Sequence, residues 1–402
     1  MNEDASLRGG DAMPPPITLS ALFLKFLRFG ALAFGGPVAQ IAMLRQALVE
    51  EERWIDKGRF NRLLAVLQVL PGPEAHELCV HLGMVARGRL GGLLAGLGFM
   101  LPGLVLMLIA GWGYMTWVAG RTGWSGVLLG VQIVVLAVIL RSVVRIGQHI
   151  IENRLLALVA AGSFVATLVG VPFWIPLLAG GLAYALARRP IWAVLVIAAA
   201  VGLAAASMVL TLQGQQAGGV AHTSVTAGAL FLAGLKGGLL TFGGAYTAIP
   251  YVRADTVGRG WIGDAAFLDG IALAGVLPAP LVIFATFVGY VAGGFVGALM
   301  VTAGMFLPAF AFSLLLFERL EAIIEHPALH RVLEGVAAAV VGVIAATFVH
   351  LSQATAAHVT TPWLVLVLFG AALLAAWRLK GAWVTPAIIL AGALVGWLVL
   401  SS

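Results

Sequence analysis

Long apolar runs alternate with short polar stretches along this chain, and the length of the runs sets the element type. Gly92–Val118, Gly126–Leu140, Ile191–Leu212, Phe295–Phe317 and Trp363–Trp377 contain no charged residue. A helical run of about 20 such residues crosses the roughly 30 Å of a bilayer's hydrocarbon. The two-residue alternation of membrane barrel strands is absent, so the spans are expected to be helices. Composition agrees: of 402 residues 61% are apolar and only 10% charged, with a mean hydropathy of +1.04. Soluble domains average about 25% charged residues. The expected fold class is an all-α polytopic membrane protein, with the lipid bilayer as its surroundings.

The polar letters of the first half return in the second. Phe34-Gly35-Gly36 recurs as Phe242-Gly243-Gly244 at an offset of 208. Trp54-Ile55, Phe60 and Val69-Leu70-Pro71-Gly72-Pro73 recur at 207 as Trp261-Ile262, Phe267 and Val276-Leu277-Pro278-Ala279-Pro280. Gly91 and Leu101-Pro102 recur at 206 as Gly297 and Leu307-Pro308. Chance similarity of apolar helices would not match Gly, Pro and Trp in one order, so the chain is a duplication. The drifting offset suggests two small deletions in loops.

Lys and Arg then orient the halves. Arg45, Arg53, Lys57, Arg59 and Arg62 precede residues 63–86, and Arg87 and Arg89 follow them. Both ends of that segment are therefore expected on the cytoplasmic side. It must enter and return as a hairpin, broken at Pro71-Gly72-Pro73. Arg141, Arg145, Arg154, Arg188 and Arg189 fall inside if later crossings alternate, and the uncharged Gln213–Ser224 falls outside. The second half then starts from the opposite face. The expectation is two homologous halves forming an inverted repeat with Pro-broken re-entrant helix hairpins. Its parts are a disordered cytoplasmic tail (1–16), a first transport repeat (17–189), a linker helix and outside loop (190–224) and a second repeat (225–402).

Proline cannot donate to the preceding turn and clashes with it, so a helix arriving at Leu70 or Leu277 should stop there. A new half-helix would start behind Pro73 and Pro280, its free N–H groups and positive dipole end facing the membrane interior. Such an end suits an anion, and Gly35, Gly36, Gly243 and Gly244 allow close backbone approach. Gly and Pro are also common in membrane helices for kinks and packing alone. Arg28 and Lys236, six residues before Phe34 and Phe242, place a cation at the same point of each repeat. An intramembrane cation costs at least ~2.5–3.5 kcal/mol and normally faces a cavity or partner; snorkelling from a helix end is the simpler alternative. The candidate substrate-binding set is thus Arg28, Lys236, Gly35, Gly36, Pro71, Gly72, Pro73, Gly243, Gly244, Pro278, Ala279 and Pro280.

Glu74, His76, Glu77 and His81 follow the first break, where the second half has Leu281, Ile283, Phe284 and Val288 at the offset of 207. Positions 74, 77 and 81 share one helix face, with His76 turned away. Three readings stand open: a carboxylate satisfied by its own helix N-terminus, a Glu/His metal site, or a proton relay through Glu74, Glu77 and His81. Asp255 and Asp269, near the second break, are weaker candidates. Cys79 is the only cysteine, which excludes an internal disulfide. No Walker loop, Ser/His/Asp set or zinc-protease motif occurs, so no enzyme activity, cofactor or resident metal is expected. The net charge of +6 lies between apolar runs, where orientation signals belong, and implies no nucleic-acid partner.

Phe34-Gly35-Gly36-Pro37, Arg53-Trp54-Ile55, Leu70-Pro71-Gly72-Pro73-Glu74-Ala75 and Leu101-Pro102-Gly103 together resemble the chromate ion transporter family. Thr241-Phe242-Gly243-Gly244, Gly260-Trp261-Ile262 and Thr286-Phe287-Val288-Gly289-Tyr290 match its C-terminal signature. The resemblance covers about residues 20–350. It implies a two-half secondary carrier in a bacterial inner membrane, exporting chromate on the electrochemical gradient, with sulfate as the second choice of oxyanion. A passive anion channel and, further off, a membrane metalloenzyme are the alternatives. A homodimer is an assembly open to such a chain. Gln40, where many members carry histidine, and His76-Glu77 depart from the family pattern.

Overall fold

The computed structural model describes residues 14–67, 72–216, 224–241, 245–316, 327–357, 359, 361–379, 381 and 383–400. Regular structure among them is entirely helical. Most of the expected tail lies outside the described residues, as do Pro71, Phe242, Gly243 and Gly244.

The first half begins with two short hairpins. Helix α1 (Leu19–Ala31) starts at Thr18, whose side chain caps Ala21 N. Helix α2 (Gly36–Arg45) leads back and continues in π-helical turns over Gln46–Glu51. The return is visible in Lys25, which pairs with Glu52, and in Trp54, whose ring lies 6.3 Å from that of Phe26. Helix α3 (Lys57–Leu67) enters again and α4 (Glu74–Gly113) takes the chain out. At 13 residues, α1 is about 20 Å long. It is too short to cross the hydrocarbon, so this segment dips in and comes back.

Helix α4 is two helices in one. At Arg87 (φ −145°, ψ 29°) and Gly88 (φ 63°, ψ −160°) the chain reverses, with both residues exposed. The arm 89–113 then lies against the arm 74–86, so close that a Cβ on Gly83 would sit 2.5 Å from Gly91 O. The longer arm also packs on α1, where a Cβ on Gly30 would meet Phe99 O at 2.3 Å. Phe26, Trp54, Phe60 and Phe99 are buried together in this unit.

The second half repeats the plan through α9 (Ala227–Leu239), a 3₁₀ turn Ala245–Ala248, α10 (Ile249–Thr256), α11 (Asp264–Val276), a 3₁₀ turn Leu281–Ile283 and α12 (Phe284–Leu316). Its reversal falls at Gly293 (φ −145°, ψ 22°) and Gly294 (φ 64°, ψ −157°), the same torsions as in α4. Arg53 (φ 54°) likewise returns as Gly260 (φ 72°). The duplication therefore extends to single backbone conformations. The long arms of α4 and α12 run antiparallel: Gly92 faces Leu314 and Gly96 faces Phe310. That is the inverted arrangement.

The offset drift has a different cause from the expected loop deletions. Between Arg45 and Trp54 the first half holds one residue more, and the π-helical turns at Gln46–Glu51 absorb it. Between Pro73 and Gly91 it again holds one more, and there the second half starts with the tighter 3₁₀ turn at Leu281–Ile283. Gly83 and Gly289 occupy equivalent places against Gly91 and Gly297. His81 thus corresponds to Phe287 rather than Val288, still an apolar counterpart.

The remaining helices cross between halves. The first half continues with α5 (Ser125–Ile150), α6 (Arg154–Leu168), α7 (Trp174–Ala185) and α8 (Pro190–Gln216). The second closes with α13 (Pro327–Ala356), α14 (Pro362–Arg378) and α15 (Val384–Val399). Helix α5 packs on α14 and α15, and α13 packs on α6 and α7. These crossings use glycines: a Cβ on Gly130 would lie 2.2 Å from Gly392 O, and one on Gly342 2.1 Å from Ala160 O. Small residues let membrane helices approach closely. The apolar stretch Pro190–Ser207 of α8 buries nothing, as a lipid-facing linker helix would.

Gly30→Ala and Gly234→Ala, whose Cβ atoms would meet Phe99 O at 2.3 Å and Val301 O at 2.1 Å, are each expected to cost about 1–3 kcal/mol. Gly162→Ala, with nothing within 4 Å, is the neutral control. Thermal unfolding in detergent reads the difference; equal midpoints for all three would refute the packing argument.

Candidate functional site

The helix breaks of the two halves meet. Helix α1 stops at Ala31, and the chain turns through Gly35 (φ 85°) and Gly36 (φ 77°) into α2. Helix α2 begins with Pro37 in its first turn and no side-chain cap. The short arm of α4 begins behind Pro73, and the turn leading into α12 behind Pro280, again without side-chain caps. These helix starts keep backbone N–H groups that no side chain satisfies.

Two contacts lock the breaks across the halves. Gly72 N–H donates to Thr241 O at 2.8 Å, joining the second hairpin of one half to the first of the other. At the pseudo-equivalent place the Gln40 Nε2 donates to both Ala33 O and Ala279 O, each at 2.9 Å. Two carbonyl acceptors fix the amide's orientation. The Gln40 Oε1 is buried and has no hydrogen-bond partner among the described residues. Gly103, in the Leu-Pro-Gly motif, makes room there: a Cβ on it would lie 2.4 Å from Ala279 Cβ.

Glu74, His76 and Glu77 are all buried at the start of α4. The ring of His76 sits between Phe306 and Phe310, with centroids 4.9 and 4.7 Å away, at the crossing with α12. Neither carboxylate oxygen of Glu77 has a hydrogen-bond partner among the described residues. Its Oε1 reaches back to the break, 2.3 Å from where a Cβ on Gly72 would be. His81 lies one turn further along the arm and is partly buried.

The two cations differ. Lys236 Nζ is 2.9 Å from Asp255 Oδ2 and 4.6 Å from the ring centroid of Phe173. Arg28 is exposed, with no ion pair or hydrogen bond among the described residues. Both occupy the last turn of the helix that enters their half, where a positive charge also complements the C-terminal end of the dipole. The breaks and Glu77 thus come together, whereas Arg28 stands on the surface beside them. Pro278 is partly buried in the second break, next to buried Ala279 and Pro280.

One polar group gave too little signal in the sequence and another stood only as a weaker candidate. Gln40 entered only as a departure from a family pattern, although a lone amide in an apolar stretch is a signal in itself. Asp269, the weaker candidate, is buried and accepts from Tyr114 Oη and Gln132 Nε2, each at 3.0 Å, tying α11 to α5 and to the π-helical turn Tyr114–Val118 that follows α4. Its partners lie more than 130 positions away, beyond the reach of any local pattern.

Two inverted halves with unwound helix ends facing one another are an architecture of membrane transporters. Comparison with known proteins narrows this. The model of the chromate transporter family matches residues 20–203 and again 228–397, and the chain belongs to that family. It is 54% identical over 392 residues to a chromate transport protein of Pseudomonas aeruginosa, covering 97% of this chain and 94% of the relative. A chromate transport protein of Cupriavidus metallidurans is 31% identical, with 90% of each chain covered. A probable chromate transport protein of Synechococcus elongatus is 29% identical over 95% of this chain and 96% of its own. No solved structure matches.

Proposed function

We propose that this chain exports a tetrahedral oxyanion, chromate first and sulfate second, from the cytoplasm across a bacterial inner membrane, driven by the electrochemical gradient. The observation that carries the reading is the interlock of the breaks, Gly72 with Thr241 and Gln40 with Ala279. It gathers uncapped helix starts from both repeats, 17–189 and 225–402, around one locus between them. Backbone N–H groups there, with Gly35, Gly36, Pro71, Gly72, Pro73, Gly243, Gly244, Pro278, Ala279 and Pro280 shaping the approach, bind the oxyanion. Arg28 and Lys236 supply the countercharge. Glu74, Glu77 and His81 carry the coupled proton on the short arm of α4.

The test is chromate accumulation in cells lacking their own exporters, at matched expression. Wild type is expected to lower accumulation, and Arg28→Ala, Lys236→Ala and Glu74→Gln to lose at least about tenfold of that effect. Export that survives all three changes would remove these residues from the site. Saturable, uncoupler-sensitive flux separates a carrier from a passive channel.

A further inference from the structure

Arg28 and Lys236 are pseudo-equivalent, yet among the described residues only Lys236 holds an anion. Asp255, buried in α10, places Oδ2 2.9 Å and Oδ1 3.1 Å from Lys236 Nζ, and its Oδ1 also accepts from Arg259 Nη2 at 3.2 Å. The position matching Asp255 at the offset of 208 is Ala47, within the π-helical turns; one residue further on is buried Leu48. The first half therefore has an exposed cation and an apolar residue where the second has a closed ion pair. The hairpin tips differ in the same sense. Phe173, just before α7, covers Lys236. Trp383, just before α15, instead stacks on Phe34 at 4.4 Å and borders an open groove of about 540 Å³, lined also by Gly381, Val384 and Ala387.

We propose that Asp255 is a built-in surrogate for the transported oxyanion, which makes the Lys236 side the release side and the Arg28 side the capture side. This rests on the oxyanion-carrier reading above. A carboxylate and a tetrahedral oxyanion bind an ammonium or guanidinium group through the same charge-assisted hydrogen bonds. One cation cannot neutralise both. An oxyanion reaching Lys236 must displace Asp255 and leave that buried carboxylate with Arg259 alone, which is costly. Re-formation of the Lys236–Asp255 pair then drives the oxyanion off. Among the described residues no carboxylate competes with it at Arg28, because Ala47 brings none. The asymmetry of two residues makes the cytoplasmic face of the pseudo-symmetric carrier the tighter-binding one, while the gradient sets the direction of net flux.

The experiment measures chromate flux in membrane vesicles of both orientations, with KM and maximal rate separated, at matched protein amount. In Asp255→Asn, KM for chromate offered at the extracytoplasmic face should fall about tenfold, and the maximal export rate should fall with it because release slows. In Ala47→Asp, KM at the cytoplasmic face should rise about tenfold as the new carboxylate occupies Arg28. The double variant should reverse which face binds more tightly. Unchanged KM values in Ala47→Asp, or in an Asp255→Asn protein that reaches the membrane, would overturn the proposal. Should Asp255→Asn fail to fold, Asp255→Asn with Lys236→Gln leaves no buried charge unpaired; it should keep a slow maximal rate without the gain in KM. Ala47→Asp still decides the capture side. Absence of chromate flux in wild type would defeat the carrier reading itself, whereas normal wild-type flux with unaltered variants defeats only the role of Asp255.

Discussion

Gly72→Ala is expected to abolish transport while the protein still inserts and folds. Gly72 has φ 151°, a region that L side chains rarely adopt. A Cβ there would lie 2.3 Å from Glu77 Oε1, and the Gly72 N–H is the donor that holds Thr241 O of the other half. One methyl group thus strains the backbone, pushes the Glu77 carboxylate out of the break and loosens the contact between hairpins. Misplacing a binding group by about 1 Å can cost roughly 100-fold in rate, and a loss of at least that size is expected in chromate flux. Gly88→Ala is the comparison: its φ of 63° is also positive, but nothing lies within 4 Å of its would-be Cβ. Backbone strain of ~1–3 kcal/mol is expected there, with transport retained. Full flux through Gly72→Ala would mean that the break is a packing feature and not the transport locus.

The residues that made this architecture readable are those with backbone demands. Glycine, proline and tryptophan recur in order because each hairpin needs the same reversals, and the torsions at Gly88 and Gly294 confirm it. Inversion was readable because Arg87 and Arg89 mark one turn while the matching Gly293 and Phe295 carry no charge. Four things lay outside such signals. The exchange of α5 and α13 between halves depends on which glycine meets which carbonyl, and every apolar helix here offers several glycines. The length differences were hidden in π and 3₁₀ turns, which have no distinct letter pattern. Most consequential for the site, Arg28 and Lys236 look alike in sequence, and only the fold brings a carboxylate to one of them. Asp255 sits 19 positions from Lys236 on another helix, where it reads as an ordinary helix-end charge. Gln40 reaches Ala279 across 239 positions, a contact that no periodicity encodes.

Glu77→Gln should separate the binding of the oxyanion from its energy source. Glu77 is fully buried in the first turn of the short arm of α4, its two oxygens unpartnered among the described residues and one of them directed at Gly72. Intramembrane carboxyls facing a pathway are the usual proton carriers of transporters. A buried carboxyl without a partner is expensive in its charged form, so its charge state is tied to what occupies the break beside it. That is the coupling a proton-driven carrier needs: the group that changes charge must sense the cargo. Glutamine keeps the volume and the amide can still hydrogen-bond, but it cannot take up or give off a proton. In everted vesicles energised by respiration, chromate accumulation by Glu77→Gln is expected to fall to the level that wild type shows with uncoupler. Exchange of labelled for unlabelled chromate, which needs binding and conformational change but no net proton movement, should continue within a few fold of wild type. Uncoupler-sensitive accumulation preserved in Glu77→Gln would sink the assignment and pass the role to Glu74 or His81 on the same arm. Loss of exchange together with accumulation would mean that Glu77 shapes the site rather than powering it. The two readouts therefore test separately whether the orphaned carboxyl is part of the pathway's wall or part of its engine.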